Sequence, residues 1–284
     1  MSNADTELDR LRREFGYETD SYLVRSDDVL RAERLSAATL SAFDDAVQGE
    51  IAKAVDSSWW YRVRNEVIVK TLKRRGFSGT LWDVGSGTGV VTAALIEAGI
   101  PAIAVEPSMG GAAIAAQRGV VSIQGTLQSL NLPDGCLAGI GAFDVLEHAT
   151  NRQEFLQEIV RVLLPGGHFI VTVPALQLLW SHADVEAKHF IRYSRRTLRN
   201  ELEMNGFEVL SLGYFFALIV PPLLLIRALP YRLGLRVRDS NNATLRANGG
   251  LLGKLAGHTE VAFAGHAPFG SSLLAVARKP SQPN

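Results

Sequence analysis

Glycine stands at alternate positions, Gly85, Gly87 and Gly89, directly after the apolar run Leu81-Trp82-Asp83-Val84. Lacking Cβ atoms, such a loop lets a ligand approach the main chain and admits the positive φ of a tight strand-to-helix turn. Asp83 places a carboxylate two residues before the first glycine. A negative charge there suits a cationic ligand and repels a pyrophosphate. The dinucleotide fingerprint G-x-G-x-x-G also fails, because its third glycine falls at Val90. Glu106 follows about 20 residues later, the distance at which a βαβ unit returns an acidic side chain to a ribose diol. Farther along, His148, His182 and His189 are candidate proton acceptors, since imidazole titrates close to neutral pH. The bland alternative for His182 and His189 is a surface or hydrogen-bonded histidine with no catalytic part.

These residues must be positioned by regular elements, and the apolar pattern supplies them. From Asp5 to Arg75 it is mostly helical, with Leu30, Leu35, Leu40, Phe43 and Val47 near helical spacing. Trp59-Trp60-Tyr61 opens a basic helix ending near Arg75-Gly76. Strands and helices then alternate: Thr80–Val84 with Gly89–Ala98, Ala102–Glu106 with Gly110–Arg118, Val120–Gln124 with a turn, Leu137–Phe143 with Arg152–Leu163. Leu164-Pro165-Gly166-Gly167 stops the last helix, and Phe169–Val173 resumes as a β-branched strand. Phe207–Leu212 and Ser271–Ala277 read as further strands around a long insertion. Repeated βα units imply a parallel, doubly wound sheet, whose ligands sit beyond the carboxyl ends of the strands.

Composition narrows the partners. The 29 basic and 29 acidic residues balance, so no global field steers the chain toward nucleic acid or an anionic bilayer, although local basic patches remain open. Cys136 is the only cysteine, which excludes an internal disulfide and any cysteine-cluster metal site and fits a reducing compartment, the cytoplasm by default. The charged N-terminal stretch has no signal-peptide core. The most apolar run, Tyr214 to Ile226, is shorter than the roughly 20 residues of a spanning helix and is interrupted by Pro221-Pro222. It reads as a lid over the cleft, and with Arg227, Arg232, Arg236 and Arg238 beside it peripheral membrane contact is a second reading.

Taken together, the glycine loop, Asp83, Glu106, the segment Asp144-Val145-Leu146-Glu147-His148 and Leu164-Pro165-Gly166-Gly167 resemble the class I S-adenosylmethionine-dependent methyltransferases, in particular small-molecule enzymes with a D-V-L-E-H segment. The likeness covers Trp59 to Lys279. It implies a Rossmann-like, doubly wound, seven-stranded and mostly parallel sheet. Residues 1–78 would form an N-terminal helical cap, 79–212 the core, 213–268 a helical insertion or lid, and 269–284 the final strand and tail. The cofactor implied is S-adenosyl-L-methionine, held by Asp83, Gly85, Gly87, Gly89, Glu106, Pro107, Thr126, Leu127, Asp144 and Val145. Thr126 stands where the family usually has an acidic adenine contact, which leaves Leu127 as an apolar wall.

The segments Leu179 to Asp184 and Lys188 to Ser194 are similar to the family's L-W-S-x-H-D and G-H-x-R-R-Y-S stretches, with Ala183 and Ile191 as departures. They imply Trp180, Arg192 and Tyr193 as acceptor contacts. In related ubiquinone-type enzymes an acidic pair and a histidine near Glu147-His148 can hold a divalent cation, but too few ligands can be placed here, so no metal is expected. The expected partner is a small hydrophobic acceptor, with its identity, the methylated atom and the oligomeric state open. No basic stripe or N-P-P-Y-type segment points to nucleic acid. A non-catalytic cofactor-binding protein of the same fold is the alternative, and a nicotinamide oxidoreductase is disfavoured by Asp83 and Val90.

Overall fold

The computed structural model describes residues 23–26, 29–32, 52, 55–235, 257–262 and 264–281. Its strands are β1 (Leu23–Ser26), β2 (Val29–Ala32), β3 (Leu81–Val84), β4 (Ala102–Glu106), β5 (Ser122–Gln124), β6 (Leu137–Phe143), β7 (Leu163–Pro174), β8 (Glu208–Phe215) and β9 (Ser272–Arg278). They form one sheet in the order β1-β2-β5-β4-β3-β6-β7-β9-β8. The pairs from β2 through β5, β4, β3, β6 and β7 are parallel, whereas β1 and the β7-β9-β8 edge are antiparallel. Chain order reverses at β3, between β4 and β6, and a crevice opens at such a switch point beyond the strand ends.

Parallel strands need crossover helices, which here are α2 (Val90–Glu97), α3 (Met109–Gln117), the single turn α4 (Leu127–Leu130) and α5 (Arg152–Val162), after α1 (Trp59–Arg74). In α5 the N-cap Asn151 side chain accepts from Glu154 N, and Leu156, Ile159 and Val162 turn one face into the core. Neighbouring strand residues feed opposite layers: Trp82, Ile140 and Phe169 pack on one side of the sheet, Leu81 and Ile170 on the other. Burial on both faces is why these strands read as continuous apolar runs.

Four expectations change. The sheet has nine strands, not seven, because β1 and β2 add to its edge. Leu30, placed by its spacing on a helix, stands in β2 opposite Ile123 and is wholly buried, since a lone apolar residue fits either period. Leu35, Leu40, Phe43 and Val47 lie outside the described residues. The Leu164–Gly167 stop belongs to β7, which leaves α5 without a loop and is tied to the end of the neighbouring β9 by Gly166 N to Lys279 O and Lys279 N to Gly167 O. Tyr214 and Phe215 end β8, so the insertion starts later than the apolar run does.

Candidate active site

Local geometry explains why β3 must be followed by glycine. Gly85, Gly87 and Gly89 have φ of 72°, 56° and 71°. A Cβ on Gly85 would lie 2.7 Å from Val145 Cγ2 and one on Gly89 2.6 Å from the Ala115 Cβ, whereas at Gly87 it would meet nothing within 4 Å. The outer glycines therefore allow close packing, and the middle one exposes bare main chain to the crevice. Glu106 ends the next strand, where its two carboxylate oxygens accept from Gly87 N (2.8 Å) and Ser108 N (2.9 Å). That carboxylate is clamped across the loop and retains lone pairs for a diol.

Asp83 is only 1% exposed and accepts from the Thr92 hydroxyl at 2.6 Å. It lies beneath the glycine loop and does not line the notch as its position in the motif suggested. Burial raises its carboxyl to about 6, so it is charged at neutral pH and acts through its field. Asp144, with φ of 58°, accepts from Thr172 Oγ1 and is ion-paired with Arg64. Arg64 comes from α1, with its guanidinium 5.0 Å from the Trp60 ring and 4.8 Å from the Tyr61 ring. The Arg64 guanidinium thus pairs with Asp144 and acts on the nearby Asp83 carboxyl.

Other candidates separate. Thr126 is the N-cap of α4: its hydroxyl accepts from Ser129 N, which is why a hydroxyl suffices where an acid was expected. Leu127 is wholly buried in the core and so is no wall of the cleft. Pro107 O accepts from Gln124 Nε2, and Val145 covers Gly85. Tyr193 is also wholly buried, its N–H donating to Pro174 O, so it is a core residue and not an acceptor contact. Trp180 is half-buried in the loop after β7.

The structure brings His148 and His189 together, with ring centroids 4.8 Å apart, and puts His182 elsewhere, edge-on to Tyr231 of the insertion. Phe190 N donates to Glu147 O, which joins the two histidine-bearing loops. His189 Nδ1 lies 2.9 Å from Asp184 Oδ1, the oxygen that also accepts from Arg192 Nε at 2.7 Å. Arg192 reaches on to Ala175 O, so it braces this pair. Burial and the neighbouring His189 push the His148 imidazole down to about 4. Glu147 is completely buried, neither carboxylate oxygen has a hydrogen-bond partner, and burial with Asp144 nearby holds its carboxyl well above the usual range. Donor atoms of Glu147, His148 and His189 all lie within 4.8 Å of one another, a convergence not foreseen from their spacing.

Sequence reasoning missed Arg64, Thr92 and the bracing role of Asp184. A signal existed for two of them. Trp60 and Tyr61 stand four and three positions before Arg64, a helical spacing that brings rings over a guanidinium, and Ser181-x-x-Asp184 is a capping-box pattern.

Residues 82–171 match the family model described as Methyltransferase domain. A Mycolicibacterium smegmatis protein named as a probable S-adenosylmethionine-dependent methyltransferase is 29% identical over 165 residues, covering 56% of this chain and 64% of that protein. Two solved structures share the fold. A methyltransferase in complex with the Trm112 activator of Haloferax volcanii is 17% identical with a TM-score of 0.56, covering 84% of this chain and 97% of that one. A SAM-dependent methyltransferase from Thermotoga maritima is 20% identical with a TM-score of 0.56, covering 83% and 97%. In sequence and fold the chain is thus similar to S-adenosylmethionine-dependent methyltransferases. The matched stretch, residues 82–171, spans the glycine loop, Glu106 and Asp144.

Proposed function

We propose that this chain methylates a small, hydrophobic, lipid-like acceptor at a hydroxyl group, with S-adenosyl-L-methionine as the methyl donor. The observation that carries the donor half is the Glu106 carboxylate clamped between Gly87 N and Ser108 N beside open main chain at the switch point. This donor set fits the nucleoside: Glu106 takes the ribose diol, the bare backbone at Gly87 admits the methionine arm, and Asp83 with Asp144 supplies negative potential for its cationic groups. The bound nucleoside contributes an electrophilic methyl group on a positively charged sulfur. The protein contributes mainly position and exclusion of water, effects worth up to roughly 7–11 kcal/mol.

For the acceptor half, Asp184 accepts the Nδ1–H of His189 and so leaves Nε2 as a proton acceptor. Arg192 holds Asp184 in place. A hydroxyl acceptor must lose its proton as it is methylated, which is why this pair favours oxygen over an already nucleophilic amine. His148, kept neutral by its low pKa, is a poor base and serves as the wall that His189 meets edge to face. Exposed Leu178 and Phe190 on the loops after β7 supply apolar surface for the acceptor.

The test is a screen of hydrophobic alcohols and phenols scored by S-adenosylhomocysteine release, with Glu106→Gln and His189→Ala run alongside. The first variant should lose cofactor affinity and the second turnover alone. Cofactor binding with no turnover across the panel would instead support the non-catalytic reading.

A further inference from the structure

The segment that leaves β8 is apolar on its outer side. It runs as the short helix α6 (Val220–Leu223), a π-helical turn (Leu224–Ala228) and α7 (Leu229–Arg232). Along it Leu218, Leu225, Leu229 and Leu233 are 58%, 63%, 44% and 65% exposed. These positions recur at multiples of a helical turn, while Ala228 is wholly buried and Tyr231 packs on His182. A helix on a water-soluble surface would normally place its apolar residues the other way round.

Charge says what this face meets. From Val209 to Arg238 the sequence has Arg227, Arg232, Arg236 and Arg238 and not one acidic residue, although the chain as a whole is neutral. Exposed leucines with Arg227 and Arg232 on the same segment complement a surface that is anionic above and hydrocarbon below, and the Glu260 carboxylate that reaches this segment is buried and taken up by Ala217 N and Leu218 N. A second protein would need a matching acidic apolar patch. No helix of the described residues is long and apolar enough to cross a membrane, and Pro221, Pro222 and the π-turn break the run into short pieces suited to lying flat.

We propose that the 218–235 segment seats the protein on an anionic phospholipid bilayer, with its leucines among the acyl chains and its arginines at the level of the phosphates. The segment is joined to the acceptor side of the site, since Arg232 Nη2 donates to Leu178 O at 3.1 Å and Tyr231 touches His182. Docking therefore turns the mouth near Leu178 and Phe190 toward the lipid, and the acceptor enters from the bilayer. Only this last step rests on the methyl-transfer reading; the docking itself does not.

The full chain is floated with vesicles of phosphatidylcholine alone and of phosphatidylcholine mixed with phosphatidylglycerol. Binding should be about tenfold or more stronger to the anionic vesicles and should weaken with salt. Leu225→Asp with Leu229→Asp should abolish it, Arg232→Glu should weaken it severalfold, and Met204→Asp, an exposed apolar control on a different helix, should leave it unchanged. Calorimetric cofactor affinity should be the same in all four proteins, which reports on the fold and on the donor site separately from the vesicles. Wild-type protein that fails to float, or the double aspartate variant floating as well as wild type, overturns the docking. Self-association that the aspartates abolish, with no vesicle binding, reassigns the face to a second copy of the chain.

Discussion

The Asp83 carboxyl sets a measurable conflict between stability and binding. Burial raises it to about 6 from an ordinary 3.8, so the folded state holds its proton more tightly than the unfolded chain does. Its contribution to stability is complete below pH 4 and is lost as pH rises through 6. Asp83→Asn should therefore raise stability at pH 7.5 by about 1–3 kcal/mol relative to wild type, with the gain fading toward pH 4 in denaturant titrations. The same substitution removes negative potential from the cofactor's cationic end, so affinity should fall, and in wild type affinity should rise as pH goes from 5 to 7. Flat affinity over that range would separate Asp83 from the ligand. Glu106→Gln should cost about 1.5–3 kcal/mol of cofactor binding by calorimetry, the worth of a hydrogen bond to a charged group. Residues such as these were legible because they sit at fixed offsets in one stretch of chain. Arg64 was not, because its meaning depends on Asp144, which is 80 positions away.

Elements show the same division. The strands β3, β4 and β6 and the helices between them follow from local apolar period and glycine punctuation. β1 and β2 do not, because a four-residue strand on an edge gains its stability from a neighbour that the pattern does not reveal. Gly89 ties the loop to the next crossover, with Ala115 of α3 against it. Gly89→Ala should destabilise the fold by about 1–3 kcal/mol, from left-handed strain and from the contact with Ala115, and chemical denaturation would show it. The loop pairing of His148 with His189 was likewise hidden, since the two residues belong to separate strand ends brought together by contacts such as Phe190 N to Glu147 O. At this level the acid–base assignment meets its sharpest check. If the Asp184–His189 pair takes the proton, dialysis against EDTA should leave turnover unchanged, and Asp184→Asn should lower kcat and shift the pH profile while cofactor affinity holds. A stoichiometric divalent ion retained by wild type and lost in His189→Ala would convert the trio Glu147, His148 and His189 into a metal centre.

For the molecule as a whole, the insertion begins and ends at one place. β8 and β9 pair in antiparallel register from Glu208↔Arg278 to Phe215↔Ser272, so more than 50 residues leave the sheet at Phe215 and return beside it at Ser272. The two stalks are already hydrogen-bonded to each other. The insertion is thus hung on two strands already paired with each other, so its length can change without re-registering the sheet. A shortened insertion that keeps the buried Phe216 and Val261 should leave a folded protein that still binds the cofactor in calorimetry and no longer floats with anionic vesicles. Variation in this segment then needs no change in the strands that carry the glycine loop and Glu106, only a different fitting clipped between Phe215 and Ser272.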